Sequence, residues 1–288
     1  MTGVRLARHL SLVTAWGLPP WSTGPTGDDD VFAIAAEAGY EGVQVLFPDQ
    51  ATKAVDAGLA VSALGRADTA DDVDNLLSAW TGSAVRSVTL HLGTGFEPGP
   101  AGEELVAHTL DAGHQRGLAV LVETHRATLF QDPARALGLA ATFPELRFTA
   151  DLSHWYTGVE MVYGDLEAKL EAIEPILRRC RMIHGRISDP GCIQVGIAVD
   201  DPAPYVEHFR RMWTTVAEGA VDGAADEATD ELPFVVELLP ASAHYARTIP
   251  DGDGGRREET DRWTQADVLW EIAQACFAAA TARSPSRD

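Results

Sequence analysis

The sequence predicts an α/β protein folded as a single-domain (β/α)8 TIM barrel over residues 1–288, and three observations carry that prediction. Eight short apolar, β-branched runs alternate with eight helix-like stretches along the chain. Runs such as Leu118-Ala119-Val120-Leu121-Val122 are apolar without alternation, as in a parallel sheet covered on both faces. Eight βα units in 288 residues fit a closed barrel better than an open sheet.

The first strand is expected at His9–Thr14. Arg5 and Arg8 ahead of Leu10-Ser11-Leu12-Val13 faintly mimic a secretion signal, but the apolar part is short. Pro19-Pro20 also stands where a small-residue cleavage site belongs, so a strand is the better reading. A helix over Asp30–Ala38 leads to a strand at Gly42–Phe47, and a helix over Gln50–Ala57 to a strand at Leu59–Leu64. Gly39 and Gly58 sit where those helices end. The helix at Ala70–Trp80 opens on Thr69 with Asp72 three residues on, a capping-box-like start, and precedes a strand at Ser87–Leu92. A helix over Ala101–Arg116 stops at Gly117 before the strand Leu118–Glu123, and Asp132-Pro133 starts the helix Pro133–Phe143. Strands at Arg147–Asp151, Arg181–Ile187 and Phe234–Leu238 alternate with helices at Leu166–Cys180, Ala203–Glu218 and Gln265–Ala280. The acidic, Ala- and Gly-rich stretch 218–231 is expected as a solvated loop. Residues 251–259, with Gly252, Gly254 and Gly255, form a second loop able to close over a pocket, and 283–288 a frayed tail.

Composition narrows the function. With 45% hydrophobic and 23% charged residues the chain is globular, and at this length its core needs no metal or disulfide to fold, so any metal would be functional. Lys plus Arg number 22 against 43 Asp plus Glu, a net charge of −21, which repels nucleic-acid backbones and anionic lipid heads. Cys180, Cys192 and Cys276 show no CxxC spacing and read as reduced thiols; no apolar run spans a membrane; the expected location is the cytoplasm.

In a barrel of this kind the site is built where strands end. The last four strands each deliver a metal-capable group there: Glu123, Asp151, His184 and Glu237. One acidic residue at a strand end is ordinarily a cap or a solvated turn, but four successive strands doing so together is not. Three carboxylates at one mouth would be prohibitive unless a cation compensated them, and an oxygen-rich set with one imidazole suits Mn²⁺ first, with Mg²⁺, Co²⁺, Fe²⁺ or Zn²⁺ also accommodated. Three carboxylates and one dication leave a net negative site that binds neutral vicinal oxygens.

These residues resemble the xylose isomerase-like TIM barrels, which include sugar and sugar-phosphate isomerases and epimerases, inosose dehydratases and endonuclease IV. The likeness spans the barrel and is strongest from Val122-Glu123-Thr-His-Arg through Phe148-Thr-Ala-Asp151-Leu-Ser-His154-Trp155 and Ile183-His184-Gly-Arg186 to Val236-Glu237. It looks like a sugar phosphate isomerase/epimerase branch of that family. The resemblance implies that Glu123, Asp151, His184 and Glu237 hold one divalent metal, and that Glu123 and Glu237 are also the acid/base pair moving a proton through an enediolate of a sugar, cyclitol or sugar phosphate. It further implies a small-molecule carbohydrate partner and is compatible with a homodimer. Tagatose-type epimerases carry an acid where this chain has Leu129 and an Arg where it has Pro190.

Four more residues are candidates for substrate contact. His154 matches a family position touching substrate oxygen, or else satisfies a loop carbonyl. Arg186, two residues after His184 and on its strand face, is an oxygen or phosphate clamp or else a surface salt bridge. His91 ends the fourth strand, and His125 lies two beyond Glu123. Trp16, Trp155 and Trp263 are candidate sugar platforms or packing residues, whereas His9, His108, His114 and His208 carry no motif. The competing functions are a lyase or dehydratase using the same metal and base on a keto-sugar or inosose, and an inactive barrel kept as a binding subunit. An endonuclease needs extra histidines and a basic groove, against the charge of −21.

Overall fold

The fold is described from a computed structural model covering residues 3–26, 30–227 and 230–283. β1 (Arg5–Ser11), β2 (Gly42–Val45), β3 (Ala60–Ala67), β4 (Val85–Leu92), β5 (Ala119–Glu123), β6 (Phe148–Ala150), β7 (Cys180–Gly185) and β8 (Glu231–Val236) close into a parallel barrel. β8 pairs back onto β1 in the register His9 with Val235. Around it run α1 (Val31–Glu37), α2 (Pro48–Asp56), α3 (Ala70–Trp80), α4 (Gly99–Arg116), α5 (Pro133–Thr142), α6 (Leu152–Gly158), α7 (Leu166–Leu177), α8 (Pro204–Glu227) and α9 (Arg262–Arg283). Among the described residues no helix is long and apolar enough to cross a membrane.

Side-chain alternation separates two environments. Outward-facing Leu10, Val43, Val61, Leu90, Val122, Phe148, Ile183, Phe234 and Val236 pack with the helices in one continuous core. The barrel interior is largely polar: Gln44 Nε2 lies 3.5 Å from Thr89 Oγ1, the Thr89 and Thr149 hydroxyls are 2.8 Å apart, and Leu121, Met182 and Val235 form a small apolar cluster. Those hydrogen bonds satisfy groups that would otherwise be costly to bury. Capping follows the sequence: Thr69 and Asp72 make their capping box, Asp30 and Asp132 cap α1 and α5, and Gly117 takes the left-handed conformation at φ +64°.

Several expectations are corrected. β1 begins at Arg5, because that side chain bonds Glu41 and Glu231 and so holds a charged strand start, while Leu12–Ala15 turns into a 3₁₀ helix. Residues 218–227 continue α8 and are no loop. A Cβ at Gly219 would stand 2.4 Å from the Arg178 backbone, so the small residues there let α8 lie directly on the end of α7. Residues 256–258 form a strand, β10 (Arg256–Glu258), antiparallel to β9 (Thr248–Pro250), with the glycines in their connection. β6 is followed by an extra short helix, α6. The tail expected at 283–288 lies, apart from Arg283, outside the described residues, as do 228 and 229 of the expected 218–231 loop.

Candidate metal centre

Because parallel strands all end at one mouth, Glu123 at the end of β5, Asp151 and Glu237 just past β6 and β8, and His184 near the end of β7 converge. One ligand-capable atom from each lies within 4.8 Å of all the others. Glu123, Asp151 and His184 have no solvent exposure and Glu237 has 4%. His184 Nδ1 stands 3.4 Å from Oε2 of both Glu123 and Glu237. Asp151 caps α6: its Oδ1 accepts from the Ser153 amide at 3.1 Å and from the Ser153 hydroxyl at 2.5 Å, which aims Oδ2 into the centre.

Arg186 is no surface salt bridge. It is 1% exposed, donates through Nη2 to Asp151 Oδ2 and, at 3.0 Å, to Glu237 Oε2, and through Nε to Ser153 Oγ at 3.2 Å. This corrects the charge count: with the imidazoles neutral, as coordination requires, three carboxylates against one guanidinium leave two negative charges, which a dication would balance.

The other candidate residues surround this group. His91 Nε2 is 2.9 Å from Glu123 Oε2; the His125 ring stacks on His91 at 4.0 Å and lies 4.0 Å from His154; His154 Nε2 approaches Asp151 Oδ2 to 3.4 Å. His91, Glu123 and His125 make a second metal-capable group that shares Glu123. Trp155 is packing: 1% exposed, it donates Nε1–H to the Phe130 carbonyl at 2.9 Å. Trp263 packs against Tyr40, and Trp16 is exposed near the end of β1.

The ionisable groups of the centre shift one another strongly. Burial alone would push the His184 ring down, but the carboxylates of Glu237 and Glu123 raise it well above the usual imidazole range. His91 is likewise raised against its burial, by Glu123. Glu123 is held well below the ordinary carboxylate range, its burial outweighed by His91 and His184, and Asp151 is held down by Arg186 and His154. Glu123 Oε1 and both His184 nitrogens are buried without a hydrogen-bond partner. Buried polar atoms left unpaired among three converging carboxylates fit a divalent ion, whose coordination would satisfy them.

Sequence reasoning missed the roof. Tyr245 follows the 3₁₀ turn Ala241–Ala243, with its hydroxyl 3.2 Å from His125 Nε2 and the guanidinium carbons of both Arg126 and Arg186 4.7 Å from its ring centre. The segment is anchored by Gln194, which bonds both the Leu239 amide and carbonyl, and by Glu258, which accepts from Ala241 N and Arg262 Nε. No periodicity marks it in the sequence. Ser153 was detectable, as the partner of an Asp-x-Ser cap.

No protein-family model matches the chain, and no curated protein sequence does. Solved structures do match. A xylose isomerase-like TIM barrel protein from Mycobacterium smegmatis, in complex with magnesium, aligns at 13% identity over 96% of this chain and 97% of its own, with a TM-score of 0.56. A D-tagatose 3-epimerase-like protein aligns at 10% identity over 96% and 99%, TM-score 0.57. A probable 3-DHS dehydratase from Bacillus anthracis, involved in petrobactin synthesis, aligns at 12% over 94% and 98%, TM-score 0.53. The chain shares the (β/α)8 barrel fold of these structures.

Proposed function

We propose that this protein is a divalent-metal-dependent isomerase or epimerase of a small carbohydrate: a sugar, cyclitol or sugar phosphate. The observation that carries the reading is the convergence of Glu123, Asp151, His184 and Glu237 within one coordination sphere at the barrel mouth. When bound, the ion supplies Lewis-acid stabilisation of charge developing on a substrate oxygen, and the oxygen-rich donor set favours Mn²⁺. The protein moves the proton. Glu123 and Glu237 reach in from separate strands, so one carboxylate can take the proton beside a carbonyl while the other returns one to the neighbouring or the same carbon. His91, against Glu123, fixes the orientation of that carboxylate, and Arg186 fixes Asp151 and Glu237.

A lyase acting on a keto-sugar or inosose begins with the same proton abstraction. The His125–Tyr245 pair beside the centre supplies a proton donor for a departing hydroxide. Incubation of the manganese-loaded protein with a ketose panel in heavy water separates the two. An isomerase or epimerase puts deuterium into a product of unchanged formula; a lyase gives an unsaturated product; absence of exchange with every ketose rejects both.

A further inference from the structure

Arg126 lies three residues after Glu123 and its side chain is exposed. Among the described residues its guanidinium makes no ion pair or hydrogen bond, and it stands over the Tyr245 ring. On the same ring rests Arg186, whose Nη1 is buried with no acceptor although Nη2 and Nε are engaged. Both nitrogens of the buried His154 also lack a hydrogen bond, and that ring meets Tyr245 edge-on at 6.2 Å. The two guanidinium carbons are separated by at most twice their 4.7 Å distance to the ring centre. Around Tyr245, the Arg126 guanidinium, Arg186 Nη1 and the His154 nitrogens thus stand without a hydrogen-bond partner. The acceptors of the metal centre lie on the other side of Arg186, against Nη2.

We propose that Arg126 and Arg186 recognise an anionic group of the substrate, a carboxylate or a phosphate, in the space the Tyr245 ring occupies. The proposal rests on the carbohydrate reading above and narrows it to sugar acids or sugar phosphates. The planar guanidinium fork suits both groups, and the donors sit close enough to Glu123 for the anion and the reacting carbon to belong to one small molecule. A chain of net charge −21 repels anionic substrates at long range, so a local pair of arginines is what such a substrate requires. His244, immediately before Tyr245, holds a left-handed backbone at φ +61°, an unfavourable conformation whose release would help the ring turn aside.

The test uses the full-length protein loaded with diamagnetic magnesium, with D-ribulose, D-ribulose 5-phosphate, D-gluconate and inorganic phosphate as probes. Calorimetry gives affinities, and the Arg126 Nε–H resonance, identified by its loss in Arg126→Gln, reports on the site itself. The expected result is a shift of that resonance with at least one anion and a preference of about tenfold or more for it over neutral ribulose, abolished in Arg126→Gln. The gluconate and ribulose 5-phosphate arms tell carboxylate from phosphate. Tyr245→Ala, which empties the space, should strengthen phosphate binding. An Arg126 resonance indifferent to every anion at millimolar concentration, or an Arg126→Gln protein with the preference intact, overturns the proposal even if ketoses are turned over. Anion binding without turnover of any ketose keeps this site and rejects the isomerase reading.

Discussion

Replacing Arg186 with methionine removes a buried guanidinium while keeping much of its aliphatic volume. In the native protein that group bonds Asp151, Glu237 and Ser153. Without it two buried carboxylates lose their fixed counter-charge, and breaking a buried pair from one side costs about 3–5 kcal/mol. For a domain of this size that is on the order of 10 °C in Tm. A dication restores part of the loss: at a hundredfold excess over its Kd it adds about 2.7 kcal/mol. The variant centre, relieved of a competing positive charge, should hold the ion more tightly than wild type. The assay is scanning calorimetry of both proteins, in EDTA and with manganese. Arg186→Met is expected to unfold far below wild type in EDTA and to gain more from manganese. Equal unfolding temperatures in EDTA, or no response to manganese in either protein, would refute the reasoning.

Burial pushes the His9 imidazole down from 6.5 to about 4, so it stays neutral in the fold while the unfolded chain takes up a proton below pH 6.5. Its contribution is complete above pH 6.5 and is lost as pH falls towards 4, up to about 3 kcal/mol. Urea melts across that window should show a slope that His9→Phe flattens, and an unchanged slope contradicts the assignment. Gly219→Ala forces a methyl against the Arg178 backbone and should cost about 1–3 kcal/mol in urea denaturation; a neutral result would show that α8 is not seated there. Trp155→Phe loses its bond to the Phe130 carbonyl, about 1 kcal/mol, without changing manganese affinity. A large fall in that affinity would return Trp155 to the site.

The four strand-end groups were legible because a parallel barrel brings every strand's carboxyl end to one mouth. Counting outward from Leu-Val-Glu, Thr-Ala-Asp, Met-Ile-His and Val-Val-Glu therefore located side chains that are far apart in sequence. The i, i+2 rule placed Arg186 on the face of His184, but its partners come from other strands and follow from no local pattern. Tyr245 was illegible for a related reason: it lies in an irregular segment, fixed by Gln194 and Glu258 through bonds to Leu239 and Ala241. Residues 218–227 misled because Ala, Gly and Asp carry no amphipathic stripe, although the glycines serve close helix approach. Trp155 misled because the seven residues of α6 are too few to show a helical period, so a packed tryptophan resembled a loop residue.

The claim on which the account stands is a single dication held by Glu123, Asp151, His184 and Glu237. Manganese titration of chelator-treated protein, followed by the loss of the free-ion paramagnetic resonance signal, tests it most directly. One tightly held ion per chain is expected in wild type, with loss of that ion in both Asp151→Asn and His184→Ala while their far-ultraviolet dichroism remains that of the folded barrel. A wild-type protein that binds no manganese, or variants that bind it as well as wild type does, would contradict it.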